Sequence, residues 1–293
     1  MHDIGVPELP SAAHVVDVVV ENHRTRTFTL DVHLPGARPG QFVMVWLPGR
    51  DEKPISLMGS DPVRLTVAAV GPFTRAMHAL RPGDRVWLRG PFGNGFSLDG
   101  VLNDSRGLCE PPESPDGARK PRRSGDVASW THRGSLSELS GQIESPLDGD
   151  RIVLVGGGYG VAPLHFLACL AVARGVHVTA IVGARTRSEL LFEERFRSLG
   201  VDLLVTTDDG SHGSRGLATD PLEAMCLDGV RPDQVYACGP EPMLEAVKGL
   251  CLEHVVPAQL SWARVMRCAM GICGTCDRSG WLVCRDGPVE RVA

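Results

Sequence analysis

The sequence predicts a chain of three parts: a β-barrel, an α/β domain on a parallel sheet, and a small C-terminal domain organised by cysteines. Three observations predict it. Short runs rich in Val, Leu and Thr, separated by Pro-Gly turns, fill residues 12–100. Apolar strands and helices alternate between 151 and 256. Four of the nine cysteines stand between 268 and 284. The parts divide at 1–100, 151–256 and 257–293, with 101–150 as an insertion.

The first part reads as strands at 14–20, 25–32, 41–47, 64–70 and 85–89. Pro35-Gly36, Pro39-Gly40, Pro48-Gly49 and Pro82-Gly83 punctuate them. Many short strands with such turns suggest a barrel or sandwich, and a helix at 74–80 interrupts this one. Lys53-Pro54-Ile55-Ser56 follows a charged turn, and Gly90 to Phe96 (GPFGNGF) closes the region. Lys53 offers a cation for a phosphate and Ser56 a hydroxyl, yet on composition alone both segments are ordinary loops. The insertion contains EPPESPDGARKPRRS at 110–124. It has too few apolar residues to offset its ordering entropy, and is expected to be a mobile linker.

The second part alternates strands at 151–155, 176–182, 201–206 and 234–237 with helices at 161–174, 188–199 and 241–254. This order implies a parallel sheet covered on both faces. Pro163 suits a first helical turn. Ser188 is the expected N-cap of the next helix, with Leu191, Phe192 and Phe196 on one face. The first strand runs into Gly156-Gly157-Gly158-Tyr159-Gly160 and then a helix. Glycines there let backbone N–H groups approach a pyrophosphate, aided by the helix dipole. The pattern departs from GxGxxG, since Val161 takes the last position. Gly183-Ala184-Arg185 stands where a ribose-binding carboxylate is usual. Cys238-Gly239-Pro240 and the loop 206–216 (TTDDGSHGSRG) follow two other strands, at the edge where α/β sheets bind ligands. A turn in which Asp208 or Asp209 acts as a cap accounts for that loop equally well.

The cysteines read Cys268-x4-Cys273-x2-Cys276-x7-Cys284. The x4 and x2 intervals match the plant-type [2Fe–2S] ligand pattern, and iron with bridging sulfide calls for soft, charged thiolates. Residues between the ligands are small or apolar, which lets backbone N–H groups reach the sulfurs. Gly271 and Gly274 permit a tight loop with positive φ. The alternative is a structural zinc site, although zinc ribbons typically use two CxxC units. Cys169 and Cys251 lie on predicted helices and read as small core residues.

Bulk properties narrow the setting. The 293 residues make about two domains at roughly 150 each, and 43% are hydrophobic, enough for ordinary cores. A net charge of −5 argues against nucleic acid or an anionic membrane as a partner. The N-terminus lacks a charged-then-apolar signal pattern, and no apolar run reaches the ~20 residues that span a bilayer. A cytoplasmic protein is expected. There, an odd number of cysteines speaks against a disulfide framework, and the crowding of four of them into the seventeen residues 268–284 speaks for metal or redox chemistry.

The order of barrel, KPIS, GPFGNGF, GGGYGVAPL, TDDGSHGSRG, CGP and spaced cysteines resembles the ferredoxin–NADP reductase superfamily. Within it, the chain most resembles electron transfer subunits of dihydroorotate dehydrogenase B, along its whole length except roughly 101–150. The resemblance implies FAD, NAD(H) and a [2Fe–2S] cluster. It implies that Lys53 takes the place of an arginine on the flavin phosphate and that Ser56 lies beside the flavin N5, with Pro54 and Ile55 between. It places Gly71 and Thr74 at the pyrophosphate segment, Gly156, Gly157, Gly158 and Gly160 at the NAD turn, and Cys238 near the nicotinamide. The partner it implies is a catalytic, FMN-containing dihydroorotate dehydrogenase subunit, two of each in the assembly, in pyrimidine (UMP) biosynthesis. Lys53 keeps the charge of the arginine without its bidentate fork. Gamma (diaphorase) subunits of cytoplasmic sulfhydrogenases are similar too, with a tail ending in Cys-x-Asp-Gly-Pro, here Cys284-Arg285-Asp286-Gly287-Pro288. A zinc-stapled binding module that has lost flavin is the alternative from another class.

Overall fold

The computed structural model describes residues 2–3, 9–99, 101 and 150–292. The expected insertion, with Cys109 and the stretch 110–124, lies outside the described residues apart from Val101 and Asp150. Strand β1 (His2–Asp3) comes first. The barrel follows with β2 (Ser11–Asn22) and β3 (Thr25–Leu30), then β4 (Val32–His33), which pairs with β1. It continues with β5 (Phe42–Trp46), β6 (Glu52–Ser60), β7 (Val63–Ala68), helix α1 (Pro72–His78) and β8 (Arg85–Phe92). The strands close antiparallel in the order β2-β3-β7-β6-β5-β8. Inward-facing Phe28, Leu30, Val43, Val45, Leu57, Leu65, Val86 and Leu88 fill the interior, with α1 adding Phe73 and Met77.

Residues 53–56 are strand, not loop. Charged Asp51–Lys53 and Pro54 mask this in the sequence, because proline is confined to sheet edges. The register explains the exception. Residues 52–56 pair with β5, whereas pairing with β7 begins only at Leu57. Pro54 thus sits where, among the described residues, one edge of the strand has no strand partner.

The second sheet is built from β9 (Arg151–Gly157), α2 (Val161–Ala173), β10 (His177–Ala184), α3 (Glu193–Ser198) and β11 (Asp202–Thr207). Next come β12 (Ser214–Arg215), α4 (Asp220–Leu227), β13 (Gln234–Cys238), α5 (Glu241–Glu253) and β14 (Ala258–Ser261). A two-stranded ribbon, β15 (Asp277–Arg278) and β16 (Trp281–Leu282), precedes the last strand, β17 (Val289–Val292). The sheet order is β12-β11-β10-β9-β13-β14-β17, parallel except for the β14–β17 pair. The sheet therefore continues past residue 256, and two strands of the C-terminal region complete it. The helix expected at 188–199 begins only at Glu193. Residues 187–189 form a 3₁₀ turn, and the Ser188 hydroxyl bonds that of Thr186 at 2.9 Å instead of capping α3. Burying both Leu191 and Phe192 turns the chain at Phe192, whose φ is 65°.

Helix α2 is buried nearly all round, as expected of a helix between two cores. Its Phe166 joins the barrel core, while Met58 of β6 joins the core on α2 and the sheet. His165 lies at this seam, its ring edge-on to Phe192 and Phe196 at 5.6 and 5.5 Å. Burial, with Arg64 and Arg195 nearby, pushes its imidazole down to about 4 from 6.5. A base depressed by folding binds fewer protons folded than unfolded. Its stability is therefore full above about pH 6.5 and declines as pH falls toward 4. The expected loss is up to about 3 kcal/mol, read as a falling urea midpoint between pH 7 and 4. In His165→Leu that dependence should shrink, and an undiminished slope would refute the assignment. Among the described residues no helix is long and apolar enough to cross a membrane.

Candidate functional site

Strand order reverses around β9, which lies between β10 and β13. The carboxyl ends of β9 and β13 open there, at the place where doubly wound sheets take ligands. The first carries Gly156 to Gly160, ending in a 3₁₀ turn at Gly158–Gly160 that leads into α2. The second carries Cys238-Gly239-Pro240. The two segments lie directly on each other. A Cβ on Gly160 would collide with the Cys238 carbonyl, and one on Gly157 would lie 2.7 Å from Pro240 Cδ. A Cβ on Gly239 would meet Gly157 N at 3.0 Å. Gly158 is the opposite case: it has φ +55° and open space around it, beside exposed Tyr159. The glycines thus do two jobs, close packing at 157 and 160 and an open backbone face at 158. Burial pushes the Cys238 thiol up to about 12, against a lowering contact with Ser261. It stays protonated and neutral near pH 7.

The 206–216 loop runs back along the end of β10, with Asp208 N donating to Ala184 O at 3.1 Å and Asp209 N to Arg185 O at 3.2 Å. Asp209 acts as a turn cap, accepting from Ser211 N at 2.9 Å and Ser211 Oγ at 2.6 Å. The Arg185 guanidinium grips Glu189 through two bonds of 3.0 and 2.9 Å.

In the barrel, Ser56 is exposed on β6. Lys53 Nζ lies 2.6 Å from Asp51 Oδ2 and holds that carboxyl below the usual carboxylate range. Strand alternation turns Lys53 and Ser56 to opposite faces. The Thr74 hydroxyl caps its own helix, accepting from Val70 N and Gly71 N at 2.9 Å each. A Cβ on Gly71 would meet nothing within 4 Å.

The four spaced cysteines are all free thiols in the segment between β14 and β17, three before the β15–β16 ribbon and Cys284 after it. Cys276 and Cys284 are buried and Cys273 is exposed. Backbone N–H groups point at the sulfurs. Met270 N and Cys273 N donate to Cys268 Sγ at 3.4 Å, Gly271 N to Cys284 Sγ at 3.3 Å, and Cys284 N to Cys276 Sγ at 3.4 Å. Gly271 and Gly274 take the positive φ expected of them, 75° and 68°. Hydrogen bonding, chiefly from the Thr275 hydroxyl, draws the Cys273 thiol down to about 6. Burial pushes Cys284 up to about 12. Among the described residues no three His, Cys, Asp or Glu side chains are arranged to hold a single metal ion.

The loop packs on the barrel. Phe42 and Met44 of β5 share one apolar cluster with Met266, Ala269, Cys276, Val283 and Cys284. Those two β5 residues are the cross-strand partners of Ser56 and Pro54. The GPFGNGF segment, unremarked in composition, is the clamp that holds this arrangement. Asn94 Nδ2 donates to the Asp286 carbonyl at 3.1 Å and Asn94 N to Gly287 O at 2.5 Å. Phe96 packs edge-on against Tyr236 of β13 at 5.7 Å. Its only sequence signal is the density of glycines, two of which, Gly93 and Gly95, have no room for a Cβ.

Comparison with known proteins bears on each part. The family model for an oxidoreductase NAD-binding domain matches residues 154–249. The chain is 39% identical to a Methanothermobacter thermautotrophicus protein named probable dihydroorotate dehydrogenase B (NAD(+)), electron transfer subunit, over 99% of this chain and 90% of that one. It is 38% identical to the Methanopyrus kandleri protein of the same name, over 96% and 89%. Among solved structures, an NADH-dependent reduced ferredoxin-NADP oxidoreductase superposes with a TM-score of 0.71 at 25% identity, covering 96% of this chain and 88% of that one. The cytochrome b5 reductase domain of Ulva prolifera nitrate reductase shares the fold, with a TM-score of 0.56 at 18% identity over 85% and 94%.

Proposed function

Since the chain belongs to the family of dihydroorotate dehydrogenase B electron transfer subunits, we propose that it passes electrons between a catalytic, FMN-containing dihydroorotate dehydrogenase subunit and NAD, in pyrimidine biosynthesis, with FAD and a [2Fe–2S] cluster as its own cofactors. The observation that carries this reading is the shared strand β5, whose Phe42 and Met44 support the cysteine loop and pair with Ser56 and Pro54 of the flavin segment. Residues expected to hold two different redox groups are thereby neighbours on one rigid wall. The names of the relatives favour neither a sulfhydrogenase gamma subunit nor a zinc-stapled binding module.

The residues fit the groups assigned to them. At the nicotinamide crevice, the open backbone at Gly158 and the start of α2 admit a pyrophosphate, while Gly157 and Gly160 keep the turn against Cys238 and Gly239. The protonated Cys238 thiol serves as a neutral wall there and removes no proton. On β6, residues 53–56 have an edge that no strand covers among the described residues, and exposed Ser56 offers its hydroxyl to a flavin ring. Lys53 brings positive charge for a phosphate once it turns from Asp51. In the tail, Cys268, Cys273, Cys276 and Cys284 give a four-thiolate set in which N–H groups already face sulfur, the arrangement that stabilises negative charge there. Bound flavin accepts electrons in pairs and releases them singly, which links a two-electron nicotinamide to a one-electron centre. On this reading, residues 1–100 are the FAD barrel, 151–256 the NAD domain and 257–293 the cluster domain, the last also lending β14 and β17 to the sheet.

A visible spectrum of anaerobically purified protein, with metal analysis, is the test. Flavin bands with cluster absorption over roughly 400–600 nm and about two irons per chain are expected. A colourless protein with about one zinc per chain would overturn the reading.

A further inference from the structure

Arg89 of β8 is 7% exposed, and every side of its guanidinium is engaged. Nε donates to Glu52 Oε1 at 2.6 Å and Nη2 to Glu52 Oε2 at 2.8 Å, a bidentate fork. Nη1 donates to the backbone carbonyl of Cys268 at 2.9 Å. The planar group also lies over the Phe92 ring, 5.4 Å from its centroid. Glu52 begins β6 immediately before Lys53, so one arginine joins the flavin segment to the first cysteine of the tail. Burying an arginine is costly unless its charge is paired and its donors are satisfied. Phe92 and Met44 already supply apolar cover at this seam, so packing alone calls for no arginine. Arg89 is 37 residues from Glu52 and 179 from Cys268. Its fork geometry is one that lysine cannot reproduce.

We propose that Arg89 and Glu52 form a positioning and charge-balancing bridge for the cluster. Arg89, forked on Glu52, fixes the Cys268 end of the loop against the flavin segment through Nη1, and the balance of the two charges sets how readily the cluster accepts an electron. The proposal rests on the functional reading above. A positive charge beside a redox centre stabilises its reduced, more negative form, and a negative charge opposes it. Removing Arg89 leaves Glu52 unpaired and makes reduction harder. Neutralising Glu52 leaves Arg89 unpaired and makes it easier.

The test uses the assembled complex with its catalytic subunit, and an EPR-monitored redox titration of Arg89→Met, Arg89→Lys and Glu52→Gln. The midpoint potential of the cluster should move down in Arg89→Met and up in Glu52→Gln. Arg89→Lys should keep the wild-type potential yet lose iron to a chelator about tenfold faster, as outer-sphere partners of metal ligands typically require. Glu52→Gln retains the shape of the carboxylate, so it reports even where Arg89→Met fails to fold. Shifts of the same sign in both charge variants, or no shift in Glu52→Gln, would overturn the proposal. A wild-type protein without iron would overturn the functional reading instead, which keeps the two failures apart.

Discussion

Cys276→Ser is expected to cut electron delivery to the catalytic subunit by at least about 100-fold while the protein keeps its flavin. Loss of an outer-sphere partner alone costs 10- to 100-fold in metal affinity or activity, and loss of a ligand should cost no less. The structure says why flavin survives. Cys276 is 2% exposed and touches the barrel through the cluster of Phe42 and Met44, and serine is slightly smaller than cysteine. The β5–β6 register that holds Ser56 runs from Phe42 to Trp46 and includes no tail residue. Cluster absorption and EPR signal should disappear, and NADH-driven reduction of an artificial two-electron acceptor should continue near the wild-type rate. Undiminished reduction of the catalytic subunit by the variant would show that electrons leave by another route.

Gly160→Val is expected to weaken nicotinamide binding at least about tenfold. The new Cβ would run into the backbone carbonyl of Cys238, with Gly239 N at 2.8 Å beyond it. Backbone at the end of β13 cannot swing aside as a side chain does. The turn and the 238–240 loop must separate, at a cost of about 3 kcal/mol or more for overpacking of this kind. Titration with NADH should show affinity weakened at least about tenfold, roughly 1.4 kcal/mol of that cost, with flavin and iron content unchanged. Gly158→Ala is the control. It has open space and a positive φ, so its penalty is a conformational one of about 1 kcal/mol. Equal effects of the two substitutions would show that the close approach at Gly160 is not what shapes the crevice.

Glycines at 156–160 and cysteines at 268–284 are local patterns, because turns and thiolate loops are built from residues a few positions apart. The parallel sheet was legible for the same reason, since each strand–helix unit is contiguous. Residues 53–56 were not, because the edge that tolerates Pro54 exists only once β7 has paired from Leu57 onward. The false cap at Ser188 has a similar origin: packing of Leu191 and Phe192 overrode a favourable capping residue. The Arg89–Glu52–Cys268 contact is still further from view. Its members come from three separate elements, and nothing in the spacing of one announces the others.

The cysteine segment leaves and re-enters the sheet at a single strand pair, β14 and β17. Ser261 and Val289 are the last paired residues of two antiparallel neighbours. Antiparallel neighbours need no more than a tight turn to join them. Everything from 262 to 288 is therefore, topologically, an oversized hairpin connection. Exchange of that connection would leave the hydrogen-bond ladders of the barrel and the sheet as they are, so under the proposed function the one-electron outlet is a separable part of the chain.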